Sequence, residues 1–251
     1  MLSSEFAELE RLADDMNTHP HIRTRIKLLL NRQTEYYSQL SDIMNNSTSQ
    51  LRQDSFVLSE LNFKRNGYFV EFGASNGVTN SNTLLLEKQY GWSGILAEPA
   101  KAHHTALFKN RKCHISTDCV YTESNLSMTF NQVSADAELS TLEKYSSSDF
   151  WADTRQHGER YQVTTVSLID LLRKYNAPYQ IDYISIDTEG SELDILQSFD
   201  FTQYQVKIIT CEHNHSAARE QINDFLSSKD YERRYAEFSD FDDWYVLKDS
   251  Q

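Results

Sequence analysis

The chain has 251 residues, of which 39% are hydrophobic and 24% charged, as expected of a globular α/β protein with an appendage rather than a disordered one. Its net charge of −13, from 37 acidic against 24 basic side chains, repels phosphate and disfavours nucleic acid as a partner. No apolar run reaches the roughly 20 residues of a membrane span.

Residues 1–60 read as a helical amino-terminal arm or cap. Leu9, Leu12 and Met16 recur at helical spacing, as do Ile22, Ile26 and Leu29. His19-Pro20-His21 separates the two runs, because proline disfavours helix in the residue before it. Such an arm suits a homodimer contact, with Asn45 to Ser49 as a polar linker. The first residues are acidic and amphipathic where a secretion signal is basic and then apolar. Three cysteines without a Cys-x-x-Cys pair fit a reduced compartment, so a cytoplasmic location is expected.

From Gly67 the texture changes, and residues 61–251 read as the main domain. Strands are expected at 68–72, 95–98, 114–120, 183–187 and 206–212. Helices are expected at 82–90, 168–175, 192–199 and 217–228. Strands that alternate with helices imply a mainly parallel sheet covered on both faces. Two final strands, 231–235 and 244–247, are joined by a connection too short for a crossover and should pair antiparallel. Lys109-Asn110-Arg111-Lys112 reads as a solvated turn. Residues 136–160, with Tyr145, Phe150 and Trp151, lack periodicity, interrupt the alternation and read as an insertion.

Glu71-Phe72-Gly73-Ala74-Ser75-Asn76-Gly77 carries a strand into a glycine turn and then a helix. Such a turn lets backbone approach a ligand. A dinucleotide fingerprint needs glycine at position 75, where serine stands. An acid before the turn suits a cationic amine better than a pyrophosphate. S-adenosylmethionine, with amine, carboxylate and sulfonium, fits, making Glu71, Gly73, Ala74, Asn76 and Gly77 candidate donor contacts. Glu98 ends the second strand, where an acid accepts bonds from ribose hydroxyls. Asp118 ends the third, within reach of an adenine amino group. The plainer alternatives are an ordinary strand-end carboxylate beside Pro99 and a solvent-facing Asp118.

Asp187 and Glu189 follow the strand at 183–187, and Cys211-Glu212-His213-Asn214-His215 closes the next. Methylating an alcohol requires alignment of the acceptor oxygen and removal of its proton. Asp187, Glu189 and His213 are the candidate catalytic groups. Asp187, Glu212 and His213 are a candidate site for Mg²⁺ or Mn²⁺, which favour oxygen ligands. The alternative is that Glu189 and Glu212 cap helices while His213 and His215 lie on the surface. Zinc is disfavoured, because the other cysteines have no matching spacing. Two rival functions stay open: a nicotinamide-dependent oxidoreductase, against which the missing glycine argues, and a non-catalytic interaction protein that keeps the adenosyl pocket.

The blocks Glu71 to Gly77, Ser81 to Glu87, Gly91-Trp92-Ser93-Gly94, Ala97-Glu98-Pro99 and Ile181 to Leu196 resemble FkbM-type methyltransferases, in the family's order. Gln50 and Asp54 sit as they do there. The resemblance covers about residues 50–248 and leaves out the amino-terminal helices. It implies a class I methyltransferase Rossmann-like α/β sheet, order 3-2-1-4-5-7-6 with the last strand antiparallel. It also implies S-adenosyl-L-methionine as donor and O-methylation, often of a sugar hydroxyl on a polysaccharide, glycolipid or natural product. Related sugar methyltransferases hold a divalent ion with acids that fall on Asp187 and Glu212. The third such position is His213, where an acid is more usual.

Overall fold

The computed structural model describes residues 37–133, 137–147, 150–237 and 239–248. The periodicity expected over residues 1–36 lies outside them. From α1 (Tyr37–Asn46) and α2 (Gln53–Glu60) onward the chain folds onto the main body. Leu40, Met44, Phe56 and Val57 are buried in one cluster with Phe69, Tyr183 and Trp244, and Phe56 stacks on Trp244 with ring centroids 4.6 Å apart. The stretch expected to be a linker is pinned by its own short hydroxyls. Ser47 Oγ donates to Asp54 at 2.7 Å and Thr48 Oγ1 to the Ser81 carbonyl at 3.0 Å. Gln53 reaches further, donating to Asp242 at 2.8 Å.

β1 (Tyr68–Phe72) is buried from Phe69 onward, as a strand covered on both faces must be. α3 (Leu84–Tyr90), β2 (Ser93–Ala97), α4 (Lys101–Asn110) and β3 (His114–Ser116) continue the alternation. The basic turn after α4 is not wholly solvated. Arg111 is buried, donating to Glu87 at 2.7 Å and to Thr83 Oγ1 at 2.9 Å.

The strand expected over 114–120 breaks in two, because the Asp118 amide folds back onto Ser116 Oγ at 3.3 Å. β4 (Cys119–Tyr121) then joins a second sheet with β5 (Ser127–Gln132), β6 (Thr141–Leu142) and β7 (Glu159–Ser167), in the order β4-β7-β5-β6. The short helix α5 (Ala152–Arg155) precedes β7. Phe130, Leu142 and Val163 pack with Ala100, just past β2. The second sheet thus stands beside the carboxyl end of the first.

α6 (Leu168–Lys174), β8 (Gln180–Ile186), α7 (Glu192–Ser198), β9 (Gln205–Glu212), α8 (Ala218–Ser227), β10 (Tyr231–Arg234) and β11 (Asp242–Leu247) complete an α/β fold. Among the described residues the main sheet has seven strands, in the order β10-β11-β9-β8-β1-β2-β3. β11 runs antiparallel to both neighbours, and the other pairs are parallel. The register places Phe72 opposite both Ala97 and Ile186, and Ile186 opposite Cys211. β1, β2, β8 and β9 therefore finish level. Gly73, Glu98, Asp187 and Glu212 meet at one edge, where open α/β sheets place their ligands.

Candidate active site

A cavity of about 520 Å³ opens at that edge, within the roughly 300–1,000 Å³ of small-molecule sites. The main sheet supplies its floor, and Glu138, Leu139 and Trp151 from the insertion line it as well. Among the described residues, seven carboxylate side chains line it and no lysine or arginine does.

Gly73 is fixed by its surroundings. Its φ is +76°, and a Cβ there would lie 1.8 Å from the Asp187 carbonyl oxygen. The turn after β1 and the end of β8 thus touch backbone to backbone, an approach that only glycine permits. Ala74 also lines the cavity.

Glu98 is buried beside them. One of its oxygens accepts the Ser75 amide and the other the Ala100 amide, both at 2.7 Å. Each oxygen retains a second lone pair, and the carboxylate fits a pair of vicinal hydroxyls such as those of a ribose. Burial pushes its carboxyl up to about 7. A ligand hydroxyl bonds the ionised form more strongly, so affinity should rise with pH through 7 and level off near 8. Glu98→Gln should weaken S-adenosylhomocysteine binding at pH 8 by roughly 10- to 100-fold, the worth of charged hydrogen bonds, and abolish that pH step. Calorimetric titration between pH 6 and 8 checks both; an unchanged Gln variant would remove Glu98 from the donor site.

Glu71 lines the cavity floor but is already engaged. It accepts the Asn82 amide at 2.7 Å, Ser81 Oγ at 3.1 Å and Thr83 Oγ1, with Arg111 at 3.7 Å. It shapes the turn that presents Asn80 and Asn82 to the cavity. Asn76 and Gly77 do not line it. Asn76 Oδ1 accepts the Val78 and Thr79 amides, each at 2.9 Å, and a Cβ on Gly77 would meet Arg111 Cγ at 2.6 Å. Both residues build the turn. Asp118 points elsewhere, pairing with Lys174 at 2.8 Å. Cys119 and Val120, with Pro99 and Phe130, give this end of the cavity an apolar wall.

The carboxylates of Asp187, Glu189 and Glu212 can all bring an oxygen within 4.8 Å of the others. Burial and the mutual repulsion of acids push the Asp187 and Glu212 carboxyls up, and the two are hydrogen-bonded to each other. Two carboxyls so placed share a proton or attract a cation. The all-oxygen set fits a hard divalent ion. Glu189, with φ of +60°, is fixed by Arg155 at 2.7 Å and Asn214 at 3.2 Å. Glu192, at the start of α7, accepts the Thr188 amide at 2.9 Å and the Gly190 amide at 3.0 Å, holding the acidic loop in shape.

His213 lies apart from this group. Its Nδ1 accepts the His215 amide at 3.0 Å, and its Nε2 lies 3.7 Å from Asp243. Asp243 is itself clamped by Arg219 and Arg233. His215 reaches the cavity mouth beside Asp240, 3.1 Å away. Trp151 and Phe150 line the cavity with ring centroids 4.1 Å apart, whereas Tyr145 bonds Asp194 outside it. Sequence reasoning missed Arg155, which is completely buried in the aperiodic segment. A lone arginine there carries no local signature of burial.

The family described as Methyltransferase FkbM domain matches residues 71–246, more than two thirds of the chain. The chain belongs to the FkbM methyltransferase family. Its activity is accordingly S-adenosylmethionine-dependent methyl transfer. No curated protein matches the sequence. Among solved structures, a ribosomal protein L11 methylase from Lactobacillus delbrueckii subsp. bulgaricus is 10% identical. That match covers 79% of this chain and 77% of that one at a TM-score of 0.38. A precorrin-6y C5,15-methyltransferase from Geobacter metallireducens GS-15 is also 10% identical, covering 77% and 85% at a TM-score of 0.40. Among the described residues of this FkbM protein, no helix is long and apolar enough to cross a membrane.

Proposed function

We propose that this FkbM protein is an O-methyltransferase acting on a hydroxyl of a sugar, in a polysaccharide or a glycosylated natural product. The observation that carries the reading is the convergence of Asp187, Glu189 and Glu212 at the cavity edge shared with Glu98. S-adenosylmethionine supplies an electrophilic methyl carbon on a sulfonium. Glu98 holds the ribose, and Gly73 and Ala74 let the donor lie against backbone. The acceptor oxygen attacks from the side opposite sulfur. The methyl–sulfur bond breaks as the methyl–oxygen bond forms, leaving S-adenosylhomocysteine and a methyl ether. An unactivated hydroxyl is a very weak acid, so its proton must be taken during transfer. Asp187, next to Glu212, is the group placed to accept it. A divalent ion held by Asp187, Glu189 and Glu212 would lower the hydroxyl's pKa.

Trp151 and Phe150 offer aromatic faces for a sugar ring. The carboxylate-rich wall disfavours phosphorylated, sulfated or uronic-acid acceptors. Radiolabelled methyl transfer from S-adenosylmethionine to neutral and anionic glycans, with Mg²⁺ or with chelator, tests the reading. The expected product is an alkali-stable methyl ether on neutral glycans, reduced by the chelator. An alkali-labile ester would indicate a carboxyl acceptor, and labelled amines an N-methyltransferase.

A further inference from the structure

We propose that Glu138, in the connection between β5 and β6, is the anionic partner of the donor's α-ammonium group. This rests on the reading of the cavity as an S-adenosylmethionine site. With the ribose at Glu98 and the reacting carbon beside Asp187, the amino-acid arm of the donor is assigned to the turn that follows β1, whose Gly73 and Ala74 line the cavity. The acid expected from the sequence to meet the ammonium is Glu71. Its two oxygens are taken up by one backbone amide and two hydroxyls of the 81–83 turn, with Arg111 close by.

Glu138 lies against the residues on either side of that turn, Ser75 and Asn80. Its carboxylate accepts Asn80 Nδ2 at 2.9 Å and faces Ser75 Oγ at 3.4 Å, and its side chain lines the cavity. Ser75 joins it to Glu98, giving its amide to Glu98 at 2.7 Å and its hydroxyl to Glu138 at 3.4 Å, so the two acids flank the same residue of the turn. Its backbone is held as well. The next residue, Leu139, gives its carbonyl to Arg155 Nε at 2.8 Å, and Arg155 also grips Glu189. One buried guanidinium thus ties the turn carrying Glu138 to the acidic loop after β8. The insertion is thereby part of the donor site and not only a wall for the acceptor.

The test compares two ligands on the intact protein by calorimetry. S-adenosylhomocysteine carries the ammonium; 5′-methylthioadenosine has the same nucleoside and thioether but no amino-acid group. Glu138→Gln keeps the shape and removes the charge. The expected result is a loss of at least about tenfold in affinity for S-adenosylhomocysteine with affinity for methylthioadenosine unchanged, which also reports that the variant is folded. Equal losses for both ligands would make Glu138 a structural residue and overturn the proposal, as would no loss for either. Failure of the unsubstituted protein to bind either ligand would overturn the donor-site reading itself, and this proposal with it.

Discussion

Asp187→Asn lowers turnover by roughly 10²- to 10⁴-fold, the range for losing a general base, while affinity for S-adenosylhomocysteine changes by less than about threefold. The asparagine is nearly isosteric and can still hydrogen-bond Glu212, so the loop after β8 keeps its path. The Gly73 contact involves only the Asp187 backbone carbonyl and survives the change. What disappears is a carboxylate able to take a proton or hold a cation. Thermal stability should not fall, because the substitution relieves repulsion among buried acids that already push each other's carboxyls up. Turnover and calorimetry measured on one preparation separate the effects. Turnover within tenfold of the parent would place the chemistry elsewhere in the cavity.

Arg155→Met has the second large effect, this time on folding. The guanidinium is completely buried, 2.7 Å from Glu189 and 2.8 Å from the Leu139 carbonyl. Removing it leaves a buried carboxylate without its main counter-charge, which costs about 3–5 kcal/mol. Removing both members is far milder, because two apolar side chains need no compensation. The double variant Arg155→Met/Glu189→Leu should therefore recover most of the stability in urea unfolding and none of the turnover. A double variant as unstable as the single one would show that Arg155 acts chiefly through the backbone carbonyl and the packing of the insertion.

What was legible in the sequence was local and periodic. The turn from Glu71 to Gly77, the strand ends at Glu98 and Asp187, and the antiparallel pairing of β10 with β11 depend on spacing over a few residues. The second sheet was not legible, because β5 buries only Phe130 and Asn131 and so shows no alternation. His213 illustrates a different limit. Successive residues of an extended chain point to opposite faces, so Glu212 reaches the cavity and its neighbour His213 turns to Asp243. Asp118 is displaced by the same kind of small event, a side-chain bond from Ser116 that ends β3 early. Glu71 marks a third limit: the sequence shows an acid in the right place but not which neighbours already occupy it.

On the proposed reading, the carboxylate wall, to which no described lysine or arginine contributes, has a consequence for the exchange of ligands. The donor arrives with a sulfonium and departs as a neutral thioether, so the ligand loses one positive charge within the cavity. The attraction that draws S-adenosylmethionine inward therefore fades once the methyl has moved, and the spent nucleoside leaves a site that no longer holds it so firmly. Such a wall would favour exchange of product for fresh donor without any moving part.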